Sequence, residues 1–415
     1  MSTQLVTLQN DDVKIRRKRK TDVEKSSDPK ISKYSYLGIY LQQLMPYINY
    51  IGREDSKRAL NEFRDQKFIT YKDSKVLIDY QKLTIEETPQ ASVVMALYPH
   101  NSRWLQTRHL LYKPNVSISK DKTPLERYLE TLTVNWVRII QEHDIKGSVY
   151  WVTFYGPSAT QSVWEVPHFD HILEKTVKYF KQFPDVNLDK FYLLGDESGG
   201  EAILTSLGPK FLHHFASIAV TNCSKVPNDL CKYFVNYPMV IHVKGNVSLE
   251  PQRAEFEKLK RQIKTDFDKE IKDILELIDT KNTNHGQILK YAITFLSGVV
   301  RDPTPEVLNW YQHEGKKNRH HFWLSLTNVK VRKPIAIFAC RYSNKKIGIL
   351  SKDVDEVYVD IHQSTIVAAG DPVIFRFNES EIVASLTVDP FVSRVYIEKF
   401  MDPRMNPCEV ILVTK

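Results

Sequence analysis

The residues whose types and spacing could do chemistry lie at positions 194–200, in the sequence LGDESGG. In many hydrolytic enzymes a sharp turn between a strand and a helix reads Gly-x-Ser-x-Gly and presents the middle serine as the attacking nucleophile. Aligning Gly195 and Gly199 with the two glycines of this pattern puts Glu197 in the middle. Since a glutamate cannot replace the serine hydroxyl in ordinary acyl transfer, the pattern predicts a turn shaped for catalysis that lacks its nucleophile.

Buried strands and amphipathic helices alternate on both sides of this turn. Apolar runs typical of buried strands occupy 91–97, 148–155, 190–194, 217–221 and 239–243. Helical patterns fall between them at 123–140, 169–180 and 201–206. This alternation predicts an α/β domain in which a mainly parallel sheet is covered by helices.

The charge and the spacing of apolar residues change at three points along the sequence, which predicts four segments. Residues 1–32 are charged and predict a disordered basic tail, and 33–90 predict a mostly helical extension. The α/β domain is expected at 91–318 and includes a long amphipathic helix over 250–279, which packs on its own domain or pairs with another helix. Short strands separated by turn residues predict an all-β sandwich at 319–415.

Several short stretches carry a resemblance to a known family. They are 185–190 (DVNLDK), 192–195 (YLLG) followed by Gly199-Gly200, 301–303 (RDP), 321–324 (HFWL) and the strand pattern of 354–377. From residue 91 to 300 the chain resembles the α/β-hydrolase esterases typified by polyhydroxybutyrate depolymerases and feruloyl esterases. The later stretches resemble relatives that carry a C-terminal β domain. The resemblance implies an esterase scaffold with a nucleophile, a histidine base, an orienting acid and N–H donors for the oxyanion.

Three of these four catalytic parts are missing at the positions that the resemblance assigns to them. The nucleophile position holds Glu197. The turn expected to carry the acid reads Lys244-Gly245-Asn246, so the acid position falls on Asn246, which has no carboxylate. The histidine remains, as His285. The oxyanion loop has no glycine, and its proline has no N–H to donate; it reads Tyr98, Pro99, His100, Asn101.

Two catalytic alternatives stay open. Ser198, one residue after the expected position, could act with His285 in a weakly active serine esterase or peptidase, although this register puts Asp196 where a small residue is needed. Glu197 and His285 could instead form a general acid/base pair, or a structural ion pair. A third hypothesis is a small-molecule sensor that keeps the hydrolase pocket without turnover, although a small-molecule ligand is not what we expect first.

Net charge of +8 and a pI near 9.0 favour an acidic partner. A basic cluster near the start of the chain is the candidate contact and consists of Lys14, Arg16, Arg17, Lys18, Arg19 and Lys20. We expect docking on an acidic protein surface or large assembly, with a cytoskeletal polymer such as a microtubule ahead of RNA. The cluster could also be a nuclear localisation signal or a solvated tail.

Other features favour a cytoplasmic protein without cofactors. The four cysteines have no metal-ligand spacing and are expected to be free thiols. His213-His214 is expected at the surface, and neither it nor His320-His321 has a third ligand nearby, so no metal is expected. No apolar run suggests a signal peptide or a membrane span. The sequence therefore predicts a degenerate α/β-hydrolase that acts as a structural or interaction protein.

Overall fold

The structure is a computed structural model. It describes residues 5–9, 12–16, 68–72, 74–84, 90–97, 147–155, 162–245, 247–269, 275–279, 285–312, 320–326, 334–343, 345–352, 354, 356–362, 372–385, 392, 396, 399–402, 405 and 407–414. The chain forms two compact units. The parallel-sheet unit comprises 60–257 and 273–301, and the β-rich unit comprises 1–59, 258–272 and 302–415.

The N-terminal segment contains a strand pair, Leu5–Gln9 (β1) and Asp12–Arg16 (β2). The two strands are antiparallel, and aliphatic residues are register partners, Val6 with Ile15 and Leu8 with Val13. The prediction of a disordered tail over 1–32 is therefore wrong for these residues, because it weighed their charge and not their alternation.

An eight-stranded sheet forms the centre of the parallel-sheet unit. Its strands run in the spatial order β10-β9-β8-β7-β5-β6-β4-β3. In chain order they are β3 Phe68–Tyr71, β4 Ser74–Thr84, β5 Ala91–Leu97, β6 Ser148–Tyr155, β7 Val186–Asp196, β8 Ser217–Cys223, β9 Met239–Val243 and β10 Leu275–Asp279. From β10 to β6 neighbouring strands are parallel, and β4 and β3 continue the sheet antiparallel.

Helices cover both faces of this sheet. The helices of this unit are α1 Phe169–Lys181, α2 Ser198–Ala202, α3 Gly208–Phe211, α4 Leu230–Phe234 and α6 His285–Ser297, with a π-helical turn Ile203–Leu207 joining α2 to α3. Helix α5 Glu250–Phe267 begins in this unit, and its residues from 258 onward belong to the β-rich unit. Phe169 of α1 packs edge-on against Phe154 of β6, at 5.4 Å between ring centroids. α6 packs on the other face, against a cluster that includes Trp151 of β6 and Tyr192 of β7. The predicted mainly parallel, helix-covered sheet is confirmed.

Two predicted helical regions are wrong in part. The 33–90 extension contains β3 and β4, two strands of the sheet, so the α/β domain begins before residue 91. The helix predicted over 250–279 ends at Phe267, and Leu275–Asp279 is the edge strand β10, parallel to β9. The predicted helix over 123–140 lies outside the described residues.

Nine further strands form two sheets in the β-rich unit. They are β11 Val307–Gln312, β12 His320–His321, β13 Leu324–Ser325, β14 Ile335–Ser343, β15 Lys346–Lys352, β16 Glu356–His362, β17 Pro372–Phe377, β18 Ser380–Ser385 and β19 Pro407–Thr414. One sheet has the order β11-β14-β15-β17-β18 and the other β12-β13-β16-β19. Every neighbouring pair is antiparallel except β15 and β17.

The β-rich C-terminal region is thus confirmed, while its packing as a sandwich stays a prediction. The predicted boundary at 318/319 is wrong, because the unit already includes residue 302 and the strand Val307–Gln312. Within the region predicted to contain only short strands, Val392, Tyr396 and Phe400 are instead helical. All three side chains are buried in a cluster that includes Tyr358 and Val410.

Candidate functional site

A strained turn connects the middle of the parallel sheet to a helix. β7 ends at Asp196, α2 begins at Ser198, and Glu197 between them has φ 49° and ψ −119°. A non-glycine residue in such a region costs about 1–3 kcal/mol. Hydrogen bonds hold the turn on both sides: the Glu197 N–H donates to the Thr221 carbonyl (2.8 Å), and the Glu197 carbonyl accepts from the Glu201 N–H (3.0 Å). This segment, residues 195–200, is the elbow turn.

The glycines of the elbow turn are required by close packing. A Cβ atom on Gly199 would lie 2.3 Å from the carbonyl oxygen of Leu97 on β5. One on Gly200 would lie 2.6 Å from Val220 of β8, and one on Gly195 would lie 2.7 Å from the Cα of Gly200. The turn therefore fits between β5 and β8 only with these small residues, as the pattern Gly-x-Ser-x-Gly demands.

The carboxylate of Glu197 is paired with a lysine from the end of β9. Its Oε1 lies 3.3 Å from Nζ of Lys244. The two side chains are 32% and 45% exposed, so the pair contributes about 0–1 kcal/mol. Lys244 also donates its backbone N–H to the Cys223 carbonyl (2.9 Å). A cation thus lies in the turn where the family resemblance leads one to expect the catalytic acid.

The buried carboxylate of Asp196, at the start of the elbow turn, accepts hydrogen bonds from the end of β8. Asp196 is 1% exposed, and its Oδ1 accepts hydrogen bonds from Thr221 Oγ1 (2.6 Å) and Asn222 Nδ2 (2.9 Å). Asn222 has a positive φ of 55°. These bonds join the ends of β7 and β8 and give Asp196 a structural role. This role was not predictable from the local pattern around Asp196, although the polar pair Thr221-Asn222 after an apolar run was a signal.

The remaining polar groups beside the turn are also engaged. Glu201 accepts a hydrogen bond from Ser224 Oγ at 2.5 Å and another from the Ser224 N–H at 3.2 Å. Burial raises the pKa of the Cys223 thiol well above its usual value. This shift disfavours the thiolate, which is the nucleophilic form of cysteine.

Ser198 occupies the position after the apex. It is the first residue of α2, and the positive φ belongs to Glu197. In turns of this kind the residue after the apex contributes its backbone N–H, not its side chain, to the oxyanion site. The geometry therefore puts the glutamate at the apex and the serine in the first helical turn.

Other predicted site residues lie wholly or partly outside the described part of the chain. Asn246 and the loop Tyr98, Pro99, His100 and Asn101 are among them, as are Arg17, Lys18, Arg19 and Lys20. Lys14 and Arg16 belong to β2, and His285 begins α6, but only their backbones are described. Because β5, β7, β9 and β10 are parallel, their carboxyl-terminal ends lie at the same edge of the sheet.

Within the described residues, no group of three or more His, Cys, Asp or Glu side chains could hold a metal ion. The expectation that His213-His214 is at the surface is wrong, since the two residues are 5% and 0% exposed. They lie in a 3₁₀ turn that leads into β8, and Lys181 Nζ is 3.3 Å from Nδ1 of His214.

Cys223, Cys231 and Cys340 are free and buried. No helix among the described residues is long and apolar enough to cross a membrane.

A mainly parallel sheet covered by helices, with a strained turn between its middle strand and a helix, defines the α/β-hydrolase fold. No protein-family model and no curated protein matches the sequence.

Solved structures of similar fold are esterases and other hydrolases. Est1E from Butyrivibrio proteoclasticus is 10% identical over 55% of this chain and 94% of its own, with a TM-score of 0.33. A CE15 glucuronoyl esterase from Teredinibacter turnerae is 10% identical over 59% and 84%, with a TM-score of 0.35. The siderophore hydrolase EstB from Aspergillus nidulans is 12% identical over 57% and 93%, with a TM-score of 0.30. These values concern the fold alone.

Proposed function

We propose that this chain is a non-catalytic α/β-hydrolase-fold protein that acts as a structural or interaction protein. The observation that carries the proposal is the carboxylate of Glu197 at the apex of the elbow turn, 3.3 Å from the Lys244 ammonium. Acyl transfer needs a hydroxyl or thiol at this apex and a carboxylate to orient the histidine. The apex instead holds the carboxylate of Glu197, and the turn after β9 begins with the positively charged Lys244.

The charge of Lys244 also disfavours the imidazolium that acyl transfer forms. In a working triad the acid stabilises the protonated histidine during proton transfer. A lysine in the turn that should carry that acid would lower the pKa of a nearby histidine, because like charges disfavour protonation. Loss of one triad member alone costs several orders of magnitude in rate.

Labelling with a fluorophosphonate probe, which modifies activated serines, tests the absence of catalysis. We expect no labelling of the wild-type chain under conditions that fully label a serine esterase. Labelling at Ser198 that is abolished by Ser198→Ala and by His285→Ala would overturn the proposal in favour of the serine esterase.

A Glu197→Ser variant extends this test, because it restores a hydroxyl at the strained apex. We expect this variant to stay unlabelled, since the turn after β9 still has Asn246 where the acid is needed and no carboxylate. Strong labelling at position 197 would instead show that a base and oxyanion donors persist, and that a single residue prevents catalysis.

We further propose that the binding partner is acidic and that the basic cluster near the N-terminus contributes to docking. The net charge of +8 supports this, because it attracts polyanionic surfaces at physiological pH. A cytoskeletal polymer such as a microtubule is the first partner to test, and RNA the second.

A further inference from the structure

Among the described residues, β18 is the edge strand of the five-stranded sheet in the β-rich unit. Among the strands that the structure describes, only β17 pairs with it, and their register runs from Pro372 opposite Ser385 to Phe377 opposite Ser380 without a bulge. Natural proteins usually protect such edges with proline, lysine or a bulge. The sequence of β18 is SEIVAS, which contains neither proline nor lysine and has Glu381 as its single charged residue. The edge is therefore suited to pairing with another strand.

The hydrogen bonds of β17 show which of its residues direct their backbone N–H and C=O groups towards β15 and which direct them towards β18. The Ile374 N–H donates to the Lys345 carbonyl (2.8 Å), and the Asn378 N–H donates to the Ile349 carbonyl (2.7 Å). Even-numbered residues of β17 therefore direct their backbone groups towards β15. Because successive residues of a strand point in opposite directions, its odd-numbered residues direct theirs towards β18.

The register then fixes the outward groups of β18. Its residues opposite the odd-numbered positions of β17 bond to β17, and these are Ser380, Ile382 and Ala384. The alternate residues, Glu381, Val383 and Ser385, direct their N–H and C=O groups away from the sheet. Their side chains are exposed as well, and Val383 is 53% exposed, which is unusual for a large aliphatic residue in a strand.

We propose that β18 pairs with β18 of a second copy of this chain, antiparallel and about a two-fold axis at Val383. The pairing joins two five-stranded sheets into one continuous sheet. Val383 then lies opposite its own counterpart, and Glu381 lies opposite Ser385. Every outward N–H and C=O of these three residues gains a partner, and two β-branched side chains meet across the strands, which is a favourable cross-strand pair.

Charge favours this register among those centred on an outward-pointing residue. The centres of that kind are Glu381, Val383 and Ser385. Centring on Glu381 would place two carboxylates face to face, which is destabilising. Centring on Ser385 would leave Glu381 and Val383 largely unpaired. In the Val383 register the two Glu381 side chains are four residues apart, about 13 Å, which is beyond the Debye length of about 8 Å in physiological salt.

Sedimentation velocity of the full chain from low to high micromolar concentration tests the dimer. We expect a reversible monomer–dimer equilibrium, because a single pair of edge strands buries less than a standard interface. Val383→Lys should weaken dimerisation more than tenfold, since two ammonium groups would face each other. The matched control is Val300→Lys, which changes a 59% exposed valine in the other unit and should leave the equilibrium unchanged.

A second variant tests the backbone pairing itself. Val383→Pro removes an N–H that β17 does not use, a change that edge strands tolerate. It should abolish the dimer while near-ultraviolet circular dichroism and the melting temperature of the monomer stay close to wild type. In the wild type, hydrogen exchange of a peptide covering β18 should slow as concentration rises, and in the Val383→Lys variant it should not.

Three results would overturn the proposal. They are a wild type that stays monomeric with concentration-independent exchange in β18, a dimer that survives both Val383 variants, and a loss of dimer that Val300→Lys reproduces. None of these measurements depends on whether the elbow turn is catalytic.

Discussion

At the scale of single residues, Glu197 carries a conformational cost that its contacts do not offset. The backbone strain at its positive φ is about 1–3 kcal/mol, whereas a half-exposed ion pair such as that with Lys244 returns at most about 1 kcal/mol. The glutamate is therefore not explained by stability of the fold. The turn imposes the strain, and the side chain adds a fixed negative charge at the edge of the sheet.

Two substitutions at this residue separate strain from charge. Glu197→Ala keeps the strain and loses the ion pair, so its free energy of unfolding should fall by less than about 1 kcal/mol. Glu197→Gly loses the same ion pair but relieves the strain, so it should be about 1 kcal/mol more stable than the alanine variant. Urea-dependent hydrogen exchange in peptides from β7 and β8 measures this in the parallel-sheet unit.

Lys244→Ala is the control, because it removes the ion pair and leaves the apex unchanged. Its effect should equal that of Glu197→Ala within a few tenths of a kcal/mol. A glycine variant no more stable than the alanine variant would contradict the argument from strain.

The sequence predicted part of this site because part of it is local. Glycine spacing placed Glu197 in the turn, since Gly195 and Gly199 are close to it in the chain. The contact with Lys244 was not predictable from spacing, because it depends on β7, β8 and β9 lying side by side in the sheet. The same holds for Asp196, whose partners come from the end of β8.

At the scale of elements, buried strands were predictable and the strands towards the edges of the sheet were not. β5, β6, β8 and β9 are buried on both faces and read as apolar runs, whereas β3, β4 and β10 lie at or near the two edges. β4 mixes polar and apolar residues, and its sequence suits a helix equally well. Ile278 of β10 continues the helical spacing of Phe256, Leu259, Ile263 and Phe267 of α5, and this coincidence extended the predicted helix.

A histidine inside β9 should make the parallel-sheet unit sensitive to acid. His242 is 3% exposed, and burial lowers its pKa to about 4. An unfolded histidine titrates near pH 6.5, so the unfolded chain takes up the proton first as pH falls. This contribution to stability is complete above pH 6.5 and shrinks towards pH 4. It amounts to about 2 kcal/mol lost between pH 6.5 and pH 5.

His242→Phe should remove that part of the pH dependence, because phenylalanine keeps a ring against Tyr291, at 5.5 Å in the native contact, and does not titrate. Urea-dependent hydrogen exchange of β9 peptides at pH 7 and pH 5 measures the difference. The matched control is His171→Phe at a partly exposed histidine of α1, which should retain the wild-type pH dependence. Equal slopes in wild type and His242→Phe would refute the assignment.

At the scale of the whole molecule, the excess of positive charge and its distribution bear on partner choice. Net charge of +8 raises affinity for any polyanion, so binding alone does not locate the contact. Lys14 and Arg16 belong to the strand pair β1–β2, whereas Lys18, Arg19 and Lys20 follow it in the chain. These three can be changed without altering either strand, which makes a test of the local cluster possible.

A comparison of two triple variants with the same charge distinguishes a local docking segment from the net charge. Lys18, Arg19 and Lys20 are changed to alanine in the first variant. The second carries alanine at exposed lysines of the parallel-sheet unit, namely Lys72, Lys225 and Lys290. Both lose three positive charges. In co-sedimentation with microtubules at low salt, the first variant should bind several-fold more weakly than wild type, and the second should bind almost as well as wild type.

Wild-type binding should also weaken as salt shortens the Debye length. Equal losses in the two variants would assign binding to overall charge, and undiminished binding by the first at low salt would remove the basic cluster from the contact.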